Sequence, residues 1–364
     1  MDRGIAPGPP RLPARALPVD YLFLQRPMIL VPVWTFFLLG AAHARLRTGI
    51  GASAPGLWAG LASFTALMGA VYIVNQIADR EADRANAKLF LVSHGIIGPR
   101  PALAAAILLA AASIAIAAFV MPRAFLLIVV LGLLLGLGYS LEPLRLKRRP
   151  VLDVLANAAG NGLLNTLAGW AATGAPFAGL AVLAPYPPAV AAVHLATTLA
   201  DARGDAACGL RTSGVALGRR RGAIAAAFLM AGSAAAAAGV GNTPALVAAL
   251  VSLPFFAAPL RRGVRDAAAG TSQAGAGGVT AAGAGAGGAA ATAAGGGAAS
   301  GPADGAPTDA GDAGAALLPA RAATVVYSLA AAFYYPLYLP WLVAVIAATR
   351  LYYARRFGMR YPSL

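Results

Sequence analysis

The chain has 364 residues, of which 59% are hydrophobic and only 11% charged, with a mean hydropathy of +0.71. Soluble domains carry about 25% charged residues, so the charges here are too few to surface a water-soluble fold of this size, and a disordered polar chain is excluded as well. The net charge of +15 sits between apolar runs, which points to orientation in a membrane and to anionic groups rather than to nucleic acid.

An all-α, polytopic membrane protein remains, because about 20 apolar residues in a helix satisfy every backbone group while crossing lipid. Residues 1–20, with Pro7, Pro9, Pro10 and Pro13, read as a disordered tail. Apolar segments follow at 24–42, 56–78, 101–120, 123–141, 151–172, 178–200, 222–240, 244–260 and 322–349. The first eight form a core over 21–266. Residues 267–316 are almost entirely Ala and Gly and read as a flexible linker, since Gly-rich sequence has high chain entropy and nothing to bury. Residues 317–364 then hold a last transmembrane helix and a basic tail, with Pro336 and Pro340 as points where that last segment can break and end differently. One cysteine, Cys208, and three dispersed histidines, His43, His94 and His194, build neither a disulfide framework nor a soft-metal cluster.

Placing the N-terminus in the cytoplasm puts most Lys and Arg on that side. The other face then holds Arg45, Arg47 and Arg123, together with Arg350, Arg355, Arg356 and Arg360 of the tail.

Most acids have simple readings: Asp2 and Asp20 lie in the tail, and Asp153 opens a helix, where a carboxylate is tolerated. Two clusters at the cytoplasmic ends of spans do not. Asn75, Asp79 and Asp83 are four apart and form one stripe on a helix, and Asp201 and Asp205 repeat that spacing. Like charges so placed repel by about 0.2–0.5 kcal/mol in water and by more at a membrane boundary. A hard divalent cation turns the repulsion into attraction, and Mg²⁺ completes its shell with waters and phosphate oxygens. Either stripe alone is equally well a solvated helix end paired with Arg. Two of them, beside basic loops, point to Mg²⁺ on a diphosphate. The loop from Tyr139 to Pro150 anchors the span and offers Tyr139, Arg145 and Lys147 as phosphate donors, and Arg211 follows the second pair.

Three motifs in this order resemble the UbiA-type intramembrane prenyltransferases: Asn-x-x-x-Asp-x-x-x-Asp at 75–83, Tyr-Ser-x-x-Pro-x-Arg-Leu-Lys at 139–147, and Asp-x-x-Gly-Asp-x-x-x-Gly-x-x-Thr at 201–212. The resemblance covers 21–262 and implies nine helices around a central apolar cavity open to lipid. It implies that Asn75, Asp79, Asp83, Asp201 and Asp205 hold Mg²⁺, that Asp79, Asp83, Asp201 and Asp205 are the catalytic acids, and that Tyr139, Arg145, Lys147 and Arg211 lie near an isoprenyl diphosphate. Where many members carry Arg-Pro after the first motif, this chain has Lys88, the substitute donor charge. His94 nearby is a loop residue or an acceptor-side base. The implied activity is Mg²⁺-dependent prenyl transfer to a lipophilic acceptor, an aromatic quinone precursor being the commonest, in a prokaryotic plasma membrane with the site facing the cytoplasm. A non-aromatic or tetrapyrrole acceptor is the alternative. A cation- or proton-coupled transporter is the rival class, although its acids would sit near the bilayer midplane.

Overall fold

The computed structural model describes residue 13 and residues 15–85, 91–258 and 310–359. All regular elements in this part are helical: α1 (Pro18–Leu24), α2 (Pro27–Thr48), α3 (Ala54–Ala85), α4 (Pro99–Phe119), α5 (Arg123–Ser140), α6 (Leu152–Asn157), α7 (Asn165–Ala171), α8 (Tyr186–Ala207), α9 (Ser213–Gly239), α10 (Thr243–Ala258), α11 (Ala310–Tyr334) and α12 (Tyr338–Phe357). A π-helical turn, Ala158–Leu164, joins α6 to α7. Proline sets several starts: Pro18, Pro27 and Pro99 open α1, α2 and α4, where the missing N–H costs nothing.

Seven helices, α2, α3, α4, α5, α8, α9 and α11, contain stretches long and apolar enough to cross a membrane. The expected segment at 151–172 is the helical run from Leu152 to Ala171, interrupted by the π turn. The expected segment at 244–260 is the shorter α10. Large apolar side chains such as Leu108, Phe228 and Phe333 face outward, as a lipid solvent requires and water would penalise.

The centre is α2, buried almost continuously from Leu30 to Ala44. It crosses α7 backbone to backbone. A Cβ on Gly40 would lie 1.9 Å from the Thr166 carbonyl oxygen, and one on Gly169 would lie 1.8 Å from that of Phe37. Such contact without intervening side chains is how helices gain packing energy in lipid. Buried hydroxyls tie further pairs together: Ser63 to Ser113 joins α3 and α4, and Thr35 meets both Ser328 and Tyr338.

The chain ends differ from the sequence expectation in three ways. First, 322–349 is not one helix. Pro336 lacks an N–H and cannot continue the α11 ladder, so the chain turns at 335–337 and α12 begins. Alongside α2, Ser328 of α11 meets Thr35; on the return, Tyr338 meets Val31, Trp341 meets Trp34, and Tyr352 stacks on Phe23. Second, α11 starts at Ala310, so 310–316 belong to a helix rather than to the linker; 267–309 lie outside the described residues. Third, residues 18–20 belong to α1, and Asp20 is buried. Its carboxylate accepts hydrogen bonds from Arg356 at 2.8 Å, from Tyr352 at 2.7 Å and from the Leu17 N–H at 2.8 Å. Arg356 therefore lies at the N-terminal end of the bundle and not on the opposite face. The rest of the expected tail, residues 1–12 and 14, is outside the described part.

Candidate functional site

The first acidic motif occupies the last turns of α3. Gln76, next to Asn75 in the chain, donates to the Leu24 carbonyl at 2.7 Å and pins this end of α3 to α1. The helical spacing places Asn75 and Asp79 on one face, and one side chain reads both. Lys147 Nζ lies 2.6 Å from Asp79 Oδ2 and donates to Asn75 Oδ1 at 3.2 Å. Lys147 belongs to a short 3₁₀ turn, Leu146–Arg148, that follows α5. Burial pushes its pKa below the ordinary lysine value, while the Asp79 charge and hydrogen bond act in the opposite sense.

Arg145 precedes that turn with a left-handed backbone, φ 37°. A side chain in this region is held at a cost of about 1–3 kcal/mol. Its guanidinium lies 3.8 Å from Asp79 and 3.1 Å from Glu142. Its Nε is buried and has no hydrogen-bond partner among the described residues, as is the Ser140 hydroxyl one turn before. An orphaned guanidinium nitrogen beside the Asp79 carboxylate marks a place where a polar ligand belongs.

Tyr139, at the end of α5, lies within electrostatic reach of Asp79 on α3, Asp205 on α8 and Asp153 on α6. The two acidic motifs thus share one end of the bundle, each with one member in reach of Tyr139. Asp205 is buried and accepts from Thr212 Oγ1 at 3.1 Å; Asp201, one turn earlier, is exposed. Asp83 is half-buried one turn beyond Asp79, and Arg211 is exposed in the α8–α9 loop. Lys88 lies outside the described residues. Among the described residues no three carboxylate, imidazole or thiol groups form a ready-made metal cluster. The donor set nonetheless suits a hard cation that takes few protein oxygens and fills its shell from water and phosphate.

Behind this polar end lies a cavity of about 150 Å³. Ile29, Pro32, Phe36, Val190 and Val193 make its apolar wall. The other wall is polar and was not anticipated. Asn157, Asn161 and Asn165 form a hydrogen-bonded ladder, and Asn157 reaches His194 at 3.3 Å. The signal was present as three Asn four residues apart inside an apolar segment, where polar groups are expensive. Asp153, a simple helix opener by its position, is instead a buried hub. It accepts from the Ser213 N–H at 2.8 Å and from the Ser213 hydroxyl, locking α6 to the start of α9.

A family model described as the UbiA prenyltransferase family matches residues 29–276. The chain belongs to the UbiA prenyltransferase family. It is 32% identical over 206 residues to a digeranylgeranylglyceryl phosphate synthase of Halobacterium salinarum, covering 55% of this chain and 68% of the relative. A UbiA homologue of Archaeoglobus fulgidus bound to DMAPP and Mg²⁺ superposes with a TM-score of 0.55 at 26% identity, covering 65% of this chain and 84% of the homologue. The same homologue bound to GPP and Mg²⁺ gives a TM-score of 0.55 at 27% identity, with 65% and 84% covered. This UbiA-family chain is an integral, multi-pass membrane prenyltransferase, which sets the transporter reading aside.

Proposed function

We propose that the protein transfers an isoprenyl group from an isoprenyl diphosphate to a lipophilic acceptor in a Mg²⁺-dependent reaction. The observation that carries this is the grouping of Lys147 and Arg145 on Asp79, with the Arg145 Nε left without a partner and Tyr139 within electrostatic reach of both Asp79 and Asp205. The Archaeoglobus homologues, solved with a prenyl diphosphate and Mg²⁺, support it. In this reading Asn75, Asp79, Asp83, Asp201 and Asp205 hold the metal. When bound, Mg²⁺ stabilises the charge that grows on the departing diphosphate.

The chain's own groups do the rest. Lys147, Arg145, Tyr139 and Arg211 bind diphosphate oxygens, and Lys88, which follows α3 in the sequence, adds donor charge. Preorganised donors at the leaving group lower the barrier for breaking the allylic carbon–oxygen bond. The cavity walls exclude water from the allylic cation. We place the site at the cytoplasmic leaflet, because Arg80, Arg84, Arg148, Arg149, Arg203 and Arg219 crowd that end whereas Arg45, Arg47 and Arg123 mark the other.

For the acceptor we favour a hydroxyl of a prenylated glyceryl phosphate over an aromatic quinone precursor. The Halobacterium relative carries the name of such a synthase. The exposed arginines Arg219, Arg220 and Arg221 beside the kink at Gly218 add positive charge beyond what one diphosphate needs. The test is purified protein with Mg²⁺, labelled prenyl diphosphates of several lengths, and both acceptor classes, read by product mass. Asp79→Ala and Asp201→Ala are each expected to lower transfer by at least about 100-fold while the protein still inserts in the membrane. Full activity in either variant overturns the metal assignment, and an aromatic product alone overturns the acceptor.

A further inference from the structure

The Asn ladder fixes more than the shape of the cavity wall. Asn165 Nδ2 donates to Asn161 Oδ1 at 3.4 Å, and Asn161 Nδ2 donates to Asn157 Oδ1 at 3.0 Å. Asn157 Nδ2 donates to the Asp153 carbonyl at 3.2 Å and faces His194 Nε2 at 3.3 Å. The carbonyl of Asn157 is therefore engaged from one side and its amide nitrogen from the other, which fixes the orientation of the amide. A donor faces Nε2, so in the neutral imidazole Nε2 carries the lone pair and Nδ1 the proton. His194 also lines the cavity, and its ring meets Tyr139 edge-on at 6.5 Å, the tyrosine within electrostatic reach of Asp79 and Asp205. An imidazole nitrogen with a lone pair and its tautomer selected thus stands where the cavity adjoins the diphosphate end.

We propose that His194 is the general base of prenyl transfer, accepting the acceptor's hydroxyl proton at Nε2 as the hydroxyl attacks. This rests on the prenyl-transfer reading above. The acceptor hydroxyl takes the place of the Asn157 amide at Nε2. The allylic carbon–oxygen bond breaks and its electron pair leaves with the diphosphate. The hydroxyl oxygen bonds to the allylic carbon, and its O–H electrons become the lone pair of the ether oxygen as the proton moves to His194. Prenyl diphosphate and alcohol thereby give prenyl ether, diphosphate and one proton, with no oxidation or reduction. The Asp153 carboxylate lies within electrostatic reach of the imidazole. The other titratable groups on this side are Tyr139 from α5 and, across the cavity, Tyr72 from α3 and Tyr327 from α11, with Asp201 and Asp205 farther along α8.

His194→Gln keeps a polar side chain in the ladder but takes no proton. General-base removal is expected to cost about 10²–10⁴ in kcat. The KM for prenyl diphosphate and the Mg²⁺ response should stay unchanged, and hydrolytic release of diphosphate should rise relative to transfer. Wild-type kcat/KM for the acceptor should fall on an acid limb that His194→Gln lacks, and added imidazole should restore part of the activity of His194→Ala. Transfer by His194→Gln within about threefold of wild type, or an acid limb unchanged in it, overturns the proposal. Wild-type protein that transfers no prenyl group to any acceptor defeats the underlying function as well, so the two failures are told apart. If His194→Gln does not fold, the imidazole rescue of His194→Ala and the wild-type acid limb decide.

Discussion

Thr212 explains why the second acidic motif ends as it does. Its hydroxyl donates to buried Asp205, and Gly209, with φ +67°, makes the turn that brings the two together. A hydrogen bond to a charged group contributes about 1.5–3 kcal/mol, so its loss leaves the carboxylate poorly oriented for a cation. Thr212→Val is expected to raise the Mg²⁺ concentration for half-maximal transfer by about tenfold, measured in a metal titration. An unchanged titration would show that Thr212 serves only to start α9. Asp153 illustrates the opposite case. A carboxylate at a helix start reads as dipole compensation, yet its hydrogen bonds to Ser213 make it the joint between α6 and α9.

At the scale of elements, the α6–π–α7 run does two jobs. Its polar stripe of Asn157, Asn161 and Asn165 forms the ladder, of which Asn157 and Asn161 line the cavity, while its far end, around Gly169, lies on the backbone of α2. A π turn is often placed at functional sites, and here it carries Asn161, the middle rung of the ladder. Gly169→Val puts new atoms where backbone already stands. Overpacking costs about 1–3 kcal/mol, and backbone contact leaves little room for relief. The variant should unfold at a lower temperature in detergent and lose activity with its fold. A Tm equal to wild type would mean that α2 and α7 separate more easily than their contact suggests. The hairpin of α11 and α12 likewise depends on one residue, Pro336, which ends a ladder that the surrounding apolar residues would otherwise extend.

For the whole molecule, the link between α1 and α12 joins the described beginning and end of the chain. Burial alone would push the Asp20 pKa up, but hydrogen bonds from Arg356, the Leu17 N–H and Tyr352 together outweigh it and hold the carboxyl below its ordinary value. A lowered carboxylate pKa adds stability that is fully present above the unfolded value of 3.8 and is lost as pH falls through the folded value. Asp20→Asn should therefore cost about 1.5–3 kcal/mol at neutral pH, and its difference from wild type should shrink on acidification below 3.8. Thermal unfolding in detergent at pH 7 and at acid pH checks both statements. A difference independent of pH would show that Asp20 contributes by shape rather than charge.

Much of this protein is legible in one dimension, because its physics is local. Span length against lipid thickness, the four-residue spacing of Asn75, Asp79 and Asp83, and the basic loop with Arg145 and Lys147 are short-range patterns, and they led to the membrane fold and to the family. Three features were decided only by packing. The sequence offers the Pro336 break but not the direction of α12, which follows from its partners on α1 and α2. Asp20 looks like a solvated tail acid until Arg356, 336 positions away, meets it. The histidines look scattered until the fold sets His194 beside Asn157 and Tyr139. In each case the partner is remote along the chain, so the interaction depends on which helix faces replace lipid with protein, a choice that the hydrophobic pattern does not encode.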